Sequence, residues 1–156
     1  MKRWFNYLAV WAVALWPRRP APNAAIERLE GRLLSLPQVP MPLTHRFAPG
    51  VYLREIFMPA GTFVIGHEHK TEHFNVVLSG RARVLIDGVV TEIKAPSVFV
   101  SKPGVRKVLV IEEDMRWATV HATTETDVHR LEADLIIKSR AHVSYHDVEL
   151  LEPHAN

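Results

Sequence analysis

The sequence predicts an all-β sandwich or barrel with one short helix before it and another after it. From Pro49 to His121, β-prone apolar segments recur at roughly ten-residue spacing, with turn residues between them. The Asp87-Gly88 pair between two apolar segments is typical of a tight hairpin. The length of 156 residues suits one domain with its own hydrophobic core.

Composition divides the chain into four parts. Residues 1–22 form an apolar, Trp-rich arm that ends in a Pro linker. Residues 23–42 form a short helix and an extended lead-in, and residues 43–123 form the barrel. Residues 124–156 form a C-terminal helix and a tail.

The spacing of apolar residues predicts the two helices. Ala24 to Leu36 carries apolar residues at helical spacing, and Pro37 ends the helix. The helix after the barrel takes Thr124 or Thr126 as its N-cap. Its apolar face carries Val128, Leu131, Leu135 and Ile136.

Eight strands are expected between the helices, separated by turn residues. Their ranges are Val51–Met58, Thr62–His69, His73–Leu78, Arg81–Ile86, Val89–Ile93, Val98–Ser101, Lys107–Ile111 and Met115–His121. Trp117 is expected in the core, whereas Tyr52, Arg54 and Glu55 are expected on a solvated sheet face.

Charge is unevenly distributed along the chain. The first twenty residues carry four basic residues and no acidic one. Because the whole chain is +2, residues 21–156 carry −2, which argues against a basic nucleic-acid-binding face. The chain contains no Cys, so disulfides and thiolate metal sites are excluded, in agreement with a reducing cytoplasm.

The arm leaves three interpretations open. Residues 4–16 are apolar, and thirteen residues are too few to cross a bilayer. A basic start and a short apolar centre are typical of a signal peptide. Trp and Arg at the headgroup level are typical of a helix lying on a membrane surface. The third interpretation is an arm that docks on a neighbouring subunit.

Three histidines gather between two predicted strands and form the candidate metal site. His67 and His69 share a strand face with the apolar residues Phe63 and Ile65, so both should point into the barrel. Two residues of strand separate them by about 7 Å, and His73 opens the next strand. Three imidazoles can hold one divalent ion, namely Fe, Mn, Ni, Cu or Zn.

The third ligand and the surrounding residues leave alternatives. Glu72 in place of His73 would give two histidines and a carboxylate, as in non-haem iron sites, although strand alternation favours His73. Asn75 shares the face of His73 and is a candidate contact to the ligand. His121 is either a remote metal ligand or a histidine at the edge of the core.

The same residues resemble the motifs of a known family, the cupins. Gly61, His67-Glu68-His69, His73 and Gly80 resemble the first cupin motif, with His73 at the position of the Glu. The stretch Lys102-Pro103-Gly104-Val105-Arg106-Lys107 resembles the end of the second motif, and Lys107 stands near the position of the fourth ligand, a His. The resemblance implies a jelly-roll β-barrel. Met58 to Leu78 also resembles small single-domain cupins of tailed bacteriophages and prophages.

The resemblance implies a metal-binding cupin that binds a small molecule. If the protein is an enzyme, the resemblance implies oxygenase or isomerase chemistry on a small organic acid or sugar. No general base can be identified from the sequence, so no reaction is assigned. Lys107 could point away from the site, bind an anionic ligand near the metal, or replace the charge of the metal altogether. The alternative is a structural or accessory protein, such as a virion-associated one, whose histidines hold no metal or only support the barrel.

The expected partner is a second copy. The resemblance implies a homodimer through the outer strands, to which the arm of residues 1–22 would add a contact. The expected location is the cytoplasm of a bacterium or a phage-infected cell, with the virion or a membrane surface as alternatives.

Overall fold

A computed structural model describes residues 23–138. The predictions for residues 1–22 and 139–156 lie outside this range. The helices are α1 (Ala24–Leu33) and α2 (Val128–Leu135). The strands are β1 (Leu43–Ala48), β2 (Val51–Met58), β3 (Phe63–Ile65), β4 (Glu68–His69), β5 (His73–Ile86), β6 (Val89–Lys94), β7 (Ser97–Ser101), β8 (Lys107–Ala122) and β9 (Ile136–Ile137).

Two long antiparallel strands, β5 and β8, organise the sheet. Strands β1-β2-β8-β5-β6 are neighbours in that order, while β3 pairs with β8 and β7 pairs with β5. The first half of β5 pairs with β7 and its second half with β6. In the same way β3 pairs with the first half of β8 and β2 with its second half. The described chain is therefore an all-β jelly roll with two short helices, which confirms the predicted fold class.

The core lies between the two halves of this folded sheet. It is built from inward-facing residues such as Val77, Val84, Ile111 and Met115. Trp117 is only 5% exposed and packs edge-on against Phe99, which confirms its expected place in the core. Inward and outward residues alternate along these strands, as the period of two requires.

The structure joins strands that the sequence separates. The predicted strands on either side of Ser79-Gly80 are one strand, β5, and the two on either side of residues 112–114 are one strand, β8. Gly80 has φ +85°, and a Cβ there would clash with the carbonyl oxygen of Asp114. The register between β5 and β8 shifts between Val77 and Ala82. The turn-like residues therefore form a β-bulge that bends the strand without ending it.

The prediction of one continuous strand from Thr62 to His69 is wrong, because the structure has two separate short strands there. Strand β3 ends at Ile65 and pairs with β8, whereas β4 begins at Glu68 and pairs with β9. Because the strand is interrupted, alternation does not carry from one piece to the other. Val64 packs in the core and Phe63 is 43% exposed, which is the reverse of the predicted faces.

The helix ends also differ from the predictions. Helix α1 ends at Leu33, earlier than the expected Leu36. Helix α2 is capped by Asp127, whose carboxylate accepts hydrogen bonds from the backbone N–H groups of two residues in the first turn. Ile136, expected on the helix, belongs to β9 instead. Neither helix in residues 23–138 is long and apolar enough to cross a membrane.

Candidate metal centre

Neighbouring strands bring two histidines together on the inner face of the sheet. Phe74 on β5 pairs with Val120 on β8, and His73 and His121 flank this pair. Their rings lie 4.9 Å apart between centroids and are stacked. Tyr52 on β2 is the register partner of His121, and its ring stacks 6.0 Å away on the other side.

A third histidine, His69, reaches the pair from the short strand β4. Its carbonyl oxygen accepts a hydrogen bond of 2.9 Å from the backbone N–H of Gly104, and the next residue, Lys70, donates to the carbonyl of Leu135 at 2.8 Å. The ring centroid of His69 lies 4.2 Å from that of His73 and 5.2 Å from that of His121. One ring nitrogen from each of the three histidines lies within 4.8 Å of the other two.

The ring nitrogens suit a bound cation. His73 Nδ1 lies 3.1 Å from the carbonyl oxygen of Thr71, so Nδ1 carries the proton and donates it. Nε2 of His73 is then left with its lone pair, and it is buried without a hydrogen-bond partner among residues 23–138. Nδ1 of His69 and both ring nitrogens of His121 are also buried and unpartnered there. Metal-bound histidines commonly orient themselves through such a bond to a backbone carbonyl.

Burial keeps the three imidazoles neutral. Burial, followed by the charges of His73 and His121, lowers the pKa of His69 to about 2. Burial, followed by His73 and Arg54, lowers the pKa of His121 to about 4. Burial also lowers the pKa of His73, although the bond to Thr71 opposes this shift. At neutral pH all three rings therefore offer lone pairs, as metal binding requires.

Two cationic residues stand near the cluster. The positive charge of Lys107 lowers the pKa of His73, so its ammonium acts on the site. Burial lowers the pKa of Lys107 itself to about 8, with the Asp87 carboxylate opposing the shift. Arg54 lines the same cavity as His69 and His121. Positive charge beside three neutral rings favours an anion at any coordination position that they leave open.

The C-terminal helix closes the mouth of the site. A cavity of about 10 Å³ remains beside His69 and His121, which is room for roughly one water molecule. Leu131, Leu135 and Ile136 form an apolar cluster with Tyr52 over this cavity. The much larger groove of about 380 Å³ lies outside the barrel, and none of the histidines within residues 23–138 lines it.

The residues predicted for the site are only partly brought together. His69 and His73 belong to the three-histidine group, whereas His67 does not: it lies half-buried at the interruption between β3 and β4. His121 takes the third place, although the sequence favoured an edge position for it. Glu72 is exposed, in the turn between β4 and β5.

The remaining predicted contacts, Asn75 and Lys107, also make hydrogen bonds away from the three rings. Asn75 is buried; its amide donates to Ser101 Oγ at 2.9 Å and accepts from Trp117 Nε1 at 3.0 Å. These bonds fix the strand that carries His73. Lys107 is buried at the start of β8, and its carbonyl oxygen accepts from the backbone N–H of Gly66 at 2.8 Å.

Two residues at the site, and one on the outer side of β2, differ from their predicted place on a solvated face. Tyr52, expected on a solvated face, is buried, and its hydroxyl lies 2.7 Å from Nδ1 of His45. Arg54, expected there too, lines the cavity together with Glu132 of α2. Glu55 is likewise buried, between the guanidinium groups of Arg46 and Arg116 on the outer side of β2. Pairing of β2 with β8 buries these residues, and strand alternation alone does not reveal which strands pair.

The chain was compared with known proteins. No protein-family model matches it, and no curated protein matches it. A cupin 2 conserved barrel domain protein from Salinispora arenicola is similar in structure, with 17% identity over 54% of this chain and 76% of that chain and a TM-score of 0.46. The cupin domain of Cnp3 from Schizosaccharomyces pombe shares 20% identity over 65% of this chain and 76% of that chain, with a TM-score of 0.46. An RmlC-like cupin from Shewanella frigidimarina shares 19% identity over 56% and 80%, with a TM-score of 0.46.

Proposed function

We propose that this protein is a cupin-type metalloprotein in which His69, His73 and His121 hold one divalent ion, namely Fe, Mn, Ni, Cu or Zn. The observation that carries the proposal is the group of buried ring nitrogens within 4.8 Å of one another. Several of these nitrogens have no hydrogen-bond partner in residues 23–138. A buried polar atom without a partner costs about 1–3 kcal/mol, and one shared cation would satisfy one nitrogen of each of the three rings.

The protein's own residues prepare this site in two ways. The carbonyl of Thr71 selects the tautomer of His73 that points a lone pair inward. Burial by β2, β8 and α2 keeps the rings neutral, so that no proton competes with the ion near pH 7. A bound ion would supply Lewis acidity at the position that three protein ligands leave open.

We further propose that the open position takes a small anionic molecule, such as a carboxylate. Lys107 and Arg54 support this, because both place positive charge around the rings. Neither residue can itself bind a cation, since a protonated amine or guanidinium only donates hydrogen bonds. Their positive charge therefore favours an anion bound to the metal and disfavours a second metal ion.

A second candidate function has its own supporting observation. The cavity of about 10 Å³ under α2 holds no more than a water molecule. Closed sites of this kind are typical of structural metals, whereas catalytic sites keep an open position. On this second proposal, the protein is a structural or accessory protein, such as a component of a phage particle, and the histidine site only stabilises the barrel.

Metal titration of the chelated protein tests the first proposal. A ligand that binds the folded state alone stabilises it by about 2.7 kcal/mol at one hundred times its dissociation constant. We therefore expect the melting temperature to rise with at least one of Fe(II), Mn, Ni, Cu or Zn, and elemental analysis to find one ion per chain. His69→Ala removes one of the three rings and should abolish the rise.

A matched control uses His129→Ala, because this histidine is exposed on α2 and lies outside the group. The control should keep the full metal response. The proposal fails if no ion changes the melting temperature, or if His69→Ala responds as the wild type does. Calorimetric titration of the metal-loaded protein with small carboxylates then distinguishes the two candidate functions. Heat of binding supports a metal site that binds an anionic molecule, and its absence supports the structural role.

A further inference from the structure

An apolar groove lies between α1 and the outer face of the barrel. Its volume is about 380 Å³. Ala25, Ile26 and Leu29 of α1 form one wall, and Phe63, Leu85 and Val90 belong to the opposite side. Among the described residues that line the groove, Arg83 alone is charged.

The floor of the groove follows from the register of three strands. Val108 on β8 pairs with Leu85 on β5, which pairs with Val90 on β6, and all three line the groove. Side chains of paired residues lie on the same face of a sheet. This row is apolar on the side away from the barrel core, where strands usually carry polar residues. Val90 is 65% exposed in the described part of the chain.

The apolar side of helix α1 faces this groove. The helix is amphipathic, yet none of its residues is buried within residues 23–138. It is attached to the barrel by polar contacts: Asn23 donates to Glu68 at 2.6 Å, and Glu30 pairs with Arg106. Surface helices normally bury their apolar stripe. The apolar wall formed by α1, in which Ile26 and Leu29 are half-buried, is therefore only partly covered within residues 23–138.

We propose that residues 4–16 of the same chain bind in this groove. These residues are apolar and include Trp4, Trp11 and Trp16. The described chain begins at Asn23, one residue before α1, so only residues 17–22 separate the segment from the groove wall. Six extended residues reach about 20 Å, which lets the segment fold back beside α1. Each Trp side chain can bury about 150–250 Å².

The tether favours the segment over a separate partner. A short linker holds its two ends together at an effective concentration in the millimolar range. A second copy or a membrane surface must instead compete from solution. The bound segment would thus cover the apolar side of α1 without the need for a second molecule.

Tryptophan fluorescence of the full chain tests this inference. Three of the four tryptophans lie in the segment, and the fourth, Trp117, is buried in the core and gives a constant background. Acrylamide quenching is measured at low protein concentration for the wild type and for two valine variants. Val90→Glu places a charge in the groove, where the wild-type side chain is 65% exposed, and Val98→Glu places one on the outer face of β7, where it is 64% exposed.

We expect a blue-shifted, shielded emission in the wild type and in Val98→Glu. Val90→Glu should at least double the quenching constant and shift the emission to the red. Leu29→Glu on the opposite wall should act in the same way, and cooperative melting of each variant shows that the barrel is folded. The inference is overturned if Val90→Glu and Val98→Glu are quenched alike. It is also overturned if the shielding disappears on dilution, as with a segment from a second copy, or requires lipid vesicles.

Discussion

Nδ1 of His73 lies 3.1 Å from the carbonyl oxygen of Thr71, two residues earlier in the chain. This contact fixes the tautomer, so the second nitrogen of the ring is the one that can bind an ion. The histidine begins β5 directly after the turn that contains Thr71. A backbone group beside the site therefore decides which atom of His73 faces the other two rings.

The ligand set can be tested by comparing His121→Ala with His67→Ala. His121 is in the three-histidine group and His67 is not. We expect His121→Ala to weaken metal binding at least a hundredfold, which corresponds to about 2.7 kcal/mol of lost stabilisation. His67→Ala should change it by less than threefold. Equal losses in calorimetric titrations of both variants would contradict this ligand set.

Stability of the chelated protein should fall in mild acid. The pKa values of His69 and His121 in the folded state are about 2 and about 4, below the ordinary value of 6.5. Between pH 6.5 and 4 the unfolded chain therefore binds more protons than the folded one, so the free energy of unfolding is retained above pH 6.5 and lost below it. Each histidine contributes at most about 1.4 kcal/mol per pH unit.

Urea unfolding at pH 7.5, 6.0 and 5.0 in the presence of a chelator measures this loss. His69→Gln removes one of the three rings whose pKa is lowered in the folded state. Its stability should therefore depend less steeply on pH than that of the wild type. A stability that is constant from pH 7.5 to pH 5.0 would show that the rings are not held neutral.

Helix α2 should control access to the site. Leu131 is buried in the apolar cluster that covers the cavity beside His69 and His121. Leu131→Ala removes part of this cover and should cost about 2–5 kcal/mol of local stability. We expect a chelator to remove the ion at least tenfold faster from this variant, as followed by stopped-flow absorbance.

The matched control is Leu109→Ala in the barrel core. It should lower the global stability by a similar amount. Because Leu109 does not line the cavity, metal release should stay near the wild-type rate under native conditions. Equal acceleration in both variants would mean that release follows global unfolding.

Lys107→Met should separate metal binding from anion binding. The side chain keeps its length and loses its charge, which lies close enough to lower the pKa of His73. Metal affinity should stay equal or increase, since a nearby cation is removed. Affinity of the metal-loaded protein for small carboxylates should decrease several-fold in isothermal titration. Unchanged carboxylate binding would exclude Lys107 from the anion site.

Gly80 should be the least replaceable of the turn glycines in the barrel. Both Gly80 and Gly61 have positive φ, but only at Gly80 would a Cβ clash with backbone, at Asp114 and Met115. Gly80→Ala should cost about 2–4 kcal/mol, from the φ penalty and the forced movement of β8. Gly61→Ala should cost about 1–2 kcal/mol from the φ penalty alone. Chemical denaturation compares the two, and equal losses would contradict the bulge.

The fold class was predictable because it depends on local pattern. Strand spacing, turn residues and the Asp87-Gly88 hairpin all lie within short windows of sequence. The continuity of β5 and β8 was not predictable, because Ser79-Gly80 has the composition of a turn and acts as a bulge. Only the partner strand across the bulge distinguishes these two outcomes.

The candidate site was half predictable for a related reason. His69 and His73 are four residues apart and were grouped by proximity in the sequence. His121 is 48 residues beyond His73 and joins them only through the pairing of β5 with β8. His67 seemed equivalent to His69 because alternation was assumed to continue through Gly66, where the strand in fact breaks. Long-range pairing and strand breaks are tertiary properties that periodicity does not contain.

The pairing of β4 with β9 has a consequence for biosynthesis. His73 and His121 can meet once β8 has formed, but within residues 23–138 the strand partner of β4, which carries His69, is the pair Ile136 and Ile137. Because chains emerge from the ribosome N-terminal end first, these two residues are made after the whole barrel. The three-ring arrangement can therefore be completed only after the barrel has been synthesised, and an ion bound by the three rings would be taken up at that stage.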